Sequence, residues 1–172
     1  MHWDFWPKVR QGALGVAVVA NSELAFRRPG IAMVGGTAET RASSVISENS
    51  LMQAIADNPV SMASYARMQK AGGDIKFNFD LLSKSNAVGQ TNPASRLIEL
   101  DPLAIQAEAR AFGYDPSTYA ARVFTHEADH LIDIHRGVWS NTQFAEYKAY
   151  NMEYLFQNGI RPSLDTRRAI WD

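Results

Sequence analysis

The sequence predicts an α+β domain: mostly helical, with a small antiparallel sheet packed against one long helix. Three observations carry this expectation. Apolar residues recur at helical spacing on both sides of a short central region. Two runs inside that region read as strands. No linker-like stretch divides the 172 residues, which suit a single domain, 1–172, with a core of its own.

Taken in order, Lys8 and Arg10 precede GALGVAVVA (12–20), a basic, then apolar, then small-residue arrangement with the parts of a secretion signal. The apolar run is rich in Gly and Ala, and the leader holds Trp3, Asp4, Phe5 and Trp6, which favours a packed helix or strand of the domain instead. GIAMVGG (30–36) reads as a strand or buried turn. Ser47 to Asp57 sets Leu51, Met52, Ile55 and Ala56 at helical spacing and stops at Asn58-Pro59. A second helix runs from Pro59 to Ala71 and closes at Gly72-Gly73. Residues 1–70 are thus a helical N-terminal part, and 74–162 the core of the domain.

DIKFNFD (74–80) alternates Ile75, Phe77 and Phe79 with polar residues, as a half-buried strand does. SKSNAVGQTNPAS (83–95) has no period and is expected to be a loop, with a lid over a cleft as its candidate role. RLIEL (96–100) is the second strand, and its edge is a candidate for pairing with an extended peptide. A helix from Ala104 to Phe112 ends at Gly113. Asp115-Pro116 then supplies an N-cap and a proline at the first helical position, opening a helix to Arg136 that Gly137 terminates. The last predicted helix covers Thr142 to Gln157.

Composition narrows the chemistry. There are no cysteines, which removes disulfides, thiolate metal sites and a Cys nucleophile. Lys plus Arg is 17 against 18 for Asp plus Glu, so no broad phosphate-binding surface is expected and nucleic acid is not a predicted partner. No apolar run reaches the ~18–20 residues of a membrane span. No G-x-S-x-G elbow suggests a serine hydrolase.

The stretch THEADH (125–130) carries the most chemical information. His126 and His130 are four residues apart in the best-capped helix, so both imidazoles project from one face and can grip one zinc ion. Glu127 lies about 100° further round the axis, placed to take a proton from a water that zinc has acidified. Tyr119, Val123, Phe124, Leu131, Ile132 and Ile134 give the helix an apolar side, so the histidines need not be core residues themselves.

A catalytic zinc uses three protein ligands. The H-E-x-x-H-x-x-G-x-x-H pattern fails, with Asp133 and Arg136 at its last two marked positions and His135 one residue early. Glu146 is the preferred third ligand, because an antiparallel return after Gly137 brings it back to His130 and Ala149 leaves room for close packing. Glu153, two turns on, is its rival, with Asp133 and His135 as further alternatives. Asp133 is also a candidate to orient an imidazole. Tyr150 shares the face of Glu146 and is the first candidate for an oxyanion donor or a supporting partner, ahead of Tyr147, Tyr154, His135 and Arg161.

His126-Glu127-x-x-His130 followed by a helical Glu146 resembles the gluzincin pattern of zinc metallopeptidases. RLIELDP before the motif helix, with Asn151, Gly159 and Arg161 after it, resembles the compact metallopeptidase domains of bacterial toxins and injected effectors, over about 74–162. The chain departs from thermolysin-like enzymes at Ala145 and Tyr150, where those have Asn and Asp. The resemblance implies one Zn2+ per chain, a protein or peptide substrate, a neutralising immunity or inhibitor protein, and secretion or injection, with a cytoplasmic location as the alternative. The same motif suits a zinc amidohydrolase acting on a non-peptide amide, or a metal-stabilised binding domain without catalysis.

Overall fold

A computed structural model describes residues 45–138 and 142–171. The signal-like stretch 12–20 and the GIAMVGG run lie outside them. The described chain is mostly helical with one small sheet, an α+β architecture. Its elements are α1 (Glu48–Asp57), α2 (Pro59–Lys70), β1 (Asp74–Phe77), α3 (Leu81–Ser85), β2 (Gly89–Asn92), β3 (Leu97–Leu100), α4 (Pro102–Phe112), α5 (Pro116–Arg136), α6 (Thr142–Asn158) and α7 (Leu164–Trp171).

The helices start where side chains can satisfy their free N–H groups. Asn58 ends α1 and opens α2: its Oδ1 accepts from Val60 N at 3.0 Å and Ser61 N at 3.1 Å, and its amide donates to the Phe156 carbonyl on α6 at 3.2 Å. Asp101 does the same for two other helices. Its buried carboxylate accepts from Leu103 N and Ala104 N at the start of α4 and from Leu82 N in α3. Asp115 caps α5 through Thr118 N at 2.8 Å. Gly137 ends that helix in the left-handed conformation, φ 66°, which a residue with a side chain adopts only under strain.

The sheet differs from expectation in three ways. Residues 83–95 are not a loop, because they hold the end of α3 and the whole of β2. The strand order is β1-β3-β2, with β1 parallel to β3 (Asp74 opposite Leu97) and β2 antiparallel to it (Gly89 opposite Leu100), so the sheet is mixed. Third, RLIEL forms the central strand, paired on both sides, and has no edge to offer a peptide. β1 ends at Phe77, short of the expected 74–80, and α7 (Leu164–Trp171) was not expected from the sequence.

α5 is the axis of the domain. It touches α1, α2, α4, α6, β2 and β3, and residues 119–133 are buried all round. Tyr119, Val123, Phe124 and Leu131 join Leu51, Ile55, Met68, Ile98, Leu100 and Ile105 in one core. The small Ser61 and Ser64 of α2, both fully buried, let that helix approach closely; Thr125 donates to the Ala121 carbonyl at 2.7 Å within the contact. No helix among the described residues is long and apolar enough to cross a membrane.

Replacing Asp101 with Ala removes three accepted hydrogen bonds at a buried position, and is expected to destabilise the protein by about 2–3 kcal/mol in urea unfolding.

Candidate metal centre

Burying α5 on every side buries its polar residues too: His126 is fully buried and His130 nearly so. Each polar group there needs a partner within the fold. For His126 the partners come from α6, at both ends of the ring. Its Nδ1 lies 2.6 Å from Glu153 Oε1, which fixes the Nδ1 proton toward the carboxylate and turns Nε2 the other way. That Nε2 faces His130 Nε2 at 3.0 Å and Glu146 Oε2 at 3.2 Å, while His130 Nε2 lies 3.3 Å from Glu146 Oε1. Together His126, His130 and Glu146 form a buried group whose donor atoms could hold one metal ion.

Two features fit a zinc-sized dication. Tetrahedral zinc bonds of about 2.0–2.1 Å place neighbouring donors about 3.3 Å apart, close to the separations found. The charge balance is the second. Glu127, Glu146 and Glu153 are buried in this cluster against the single guanidinium of Arg122, which leaves two negative charges uncompensated. Protons meet this demand where a metal does not. Burial alone would lower the His126 pKa, but the carboxylates of Glu146 and Glu153 overcome it and hold the group well above the usual imidazole range. Burial raises the Glu127 carboxyl. Glu146 resists burial and stays far below the usual carboxylate range because both imidazoles donate to it.

The structure separates the alternatives for the third ligand. Glu153 points to the opposite nitrogen of His126 from Glu146, and its second oxygen receives Arg122 Nε at 2.5 Å. Arg122 lies over the Tyr119 ring, 5.4 Å from its centroid, and the Tyr119 hydroxyl donates to Glu108 on α4. A polar line thus runs from α4 to the imidazole. Asp133 is held by Lys148 of α6, which also lies 4.0 Å from Asp129, and is not in the donor group. His135 is exposed beyond the buried part of α5, and so is Arg161 near the start of α7. Tyr150 stands edge-on to His126 with ring centroids 4.9 Å apart. Tyr147 packs instead on Phe144 and Trp171.

Glu127 is completely buried on the side facing the sheet. Its Oε2 lies 2.9 Å from the Thr91 hydroxyl on β2, while Oε1 has no hydrogen-bond partner. Arg122, Thr91 and Lys148 were not singled out by sequence reasoning. Arg122 had a usable signal, a cation one turn before His126 on the ligand-bearing face; Thr91 had none, lying in a stretch without strand periodicity.

No family model matches the chain, and no curated protein or solved structure is significantly similar to it. The likeness to the gluzincin pattern therefore rests on the residues of α5 and α6 themselves.

The Arg122–Glu153 pair yields a stability prediction. Arg122→Met and Glu153→Gln should each destabilise the protein by about 3 kcal/mol, since each strands a buried charge. The double variant should cost clearly less than the two together, a shortfall that a double-mutant cycle in urea would measure.

Proposed function

We propose that the protein is a zinc-dependent hydrolase of peptide bonds, with His126, His130 and Glu146 as metal ligands and Glu127 as general base. The observation that carries this reading is the pairing of a three-donor group with a buried carboxylate that keeps one oxygen unpartnered. A zinc ion in that group supplies a Lewis acid that acidifies water and polarises a carbonyl. The residues provide the rest. Glu127 Oε1 takes a proton from the attacking water and returns it to the departing amine, so proton and leaving group balance over one turnover. Glu153 keeps the His126 ring turned with Nε2 toward the ligand group, and Tyr150 blocks rotation by packing against that ring. The substrate would be a protein or peptide; a toxin or effector role, with a neutralising partner protein, belongs to the resemblance alone.

A second reading is a metal-stabilised binding domain. It is favoured by one observation, the complete burial of His126 and Glu127. Glu127 separates the two, because a purely structural site has no need of a free carboxylate oxygen.

Metal analysis by mass spectrometry should find about one zinc per chain in the wild type and in Glu127→Gln, and none in Glu146→Ala. Glu153→Ala should retain the metal with roughly 10–100-fold weaker affinity. In a peptide-library assay Glu127→Gln should lower turnover by about 10²–10⁴-fold. A wild type that refuses zinc rules out both readings, and a zinc-loaded Glu127→Gln of full activity rules out the catalytic one.

The pKa directions give a pH signature. After chelation, the raised His126 contributes stability that is complete below its unfolded value of 6.5 and is lost as pH rises through its folded value. Lowered Glu146 and Glu153 contribute stability that is complete above 4.5 and is lost on acidification. The combined contribution of His126, Glu146 and Glu153 is thus greatest between those two values. Glu127, raised by burial, works against it by losing stability as pH rises above 4.5. Zinc must displace the imidazole proton, so the rise in Tm on adding zinc should grow from pH 6 to pH 8. A rise in Tm independent of pH would contradict this account.

A further inference from the structure

Strand β2 meets α5 at one place, beside Glu127. Gly89 and Thr91 are two residues apart, so both face the helix, and both are buried. A Cβ added to Gly89 would lie 2.6 Å from Val123 Cγ1 and 3.2 Å from Glu127 Cγ, so the strand backbone presses directly on the stem of the glutamate. Thr91 then reaches its head. The hydroxyl is 2.9 Å from Glu127 Oε2 and 2.8 Å from the Glu127 main-chain oxygen, so its single proton is shared between two acceptors of one residue.

We propose that Thr91 is a positioning residue that commits Glu127 to one working oxygen, Oε1, with Gly89 as the wall that stops its stem from swinging toward the sheet. This inference rests on the reading of Glu127 as the base. The geometry supports it in three ways. A carboxylate buried among apolar side chains has two equivalent oxygens and could present either; the Thr91 contact makes them different. Oε1 is left with no partner in the fold, which at a fully buried position is costly unless a ligand or a water uses it. The residue that makes the contact also grips the backbone of Glu127, so the head of the side chain is fixed relative to the turn that carries His126 and His130. β2 thereby acquires a role that its sequence, GQTN, does not announce.

The test uses full-length protein loaded with cobalt(II), whose visible absorption reports ligand binding, and acetohydroxamate as probe. Acetohydroxamate chelates a metal through two oxygens and gives up its hydroxyl proton, which Oε1 is placed to receive. The proposal expects Thr91→Val to keep its cobalt but to bind acetohydroxamate about tenfold more weakly, the loss of one positioning hydrogen bond. Thr91→Ser, which keeps the hydroxyl and loses the methyl, should bind like the wild type. The double variant Thr91→Val, Glu127→Gln should bind no more weakly than Glu127→Gln alone. Thr91→Ala replaces Thr91→Val in each comparison should Val not fold. Equal probe affinity in Thr91→Val and wild type overturns the proposal, and so does a Ser variant as weak as Val, which would assign Thr91 to packing. A wild type that takes up neither cobalt nor zinc is a different result: it defeats the metal reading itself.

Discussion

The imidazole of His126 is held at both nitrogens by one helix, and the rest of the polar interior is arranged around that grip. Glu153 takes Nδ1 and Glu146 faces Nε2. The two glutamates are seven positions apart, two turns on one face of α6, which is the spacing needed to straddle a ring on a neighbouring helix. Ala145 and Ala149, both buried, let the helices come close enough for it. Once α6 sits there, Arg122 must answer Glu153, and Tyr119 and Glu108 answer Arg122. A displaced α6 would leave a guanidinium without its carboxylate in a region that water does not reach.

This polar line opposes the hydrophobic logic of the fold. α5 has a complete apolar lining where it meets the core, through Tyr119, Val123, Phe124 and Leu131. Along another side it carries Arg122, His126 and His130 at four-residue intervals, also buried. Apolar residues at those positions would pack with less desolvation, as replacements of buried ion pairs in other proteins show. The fold keeps charged groups there and gives them closely matched partners.

Local chemistry was legible in the sequence, and pairing was not. Asp115-Pro116 is a cap that acts within a few residues, so the start of α5 could be read directly, whereas Asp101-Pro102 reads only as the end of a strand and α4 begins two residues before the expected Ala104. Strand β2 could not be read, since its inward residues are Gly89 and Thr91, selected by contact with Glu127 and not by hydrophobicity. Alternation in 74–80 suggested a strand but cannot reveal direction, so the parallel pairing of β1 with β3 was missed. In the site, the four-residue spacing of His126 and His130 survives any tertiary arrangement. Glu146 and Glu153 share a face, so only the position of α6 along α5 decides which nitrogen each one meets. Lys148 likewise settles Asp133, a contact between helices that no spacing encodes.

One consequence of the shared helix concerns time. Glu146 and Glu153 move together when α6 moves, because both ride on it and both contact the same ring. His126 is wholly enclosed, so its ring cannot exchange these partners for water while the two helices stay docked. Exchange of either contact for water would follow the rate at which the α5–α6 seam opens as a unit, a local unfolding event. The lifetime of the ring's two contacts is then a property of helix docking and not of either hydrogen bond alone.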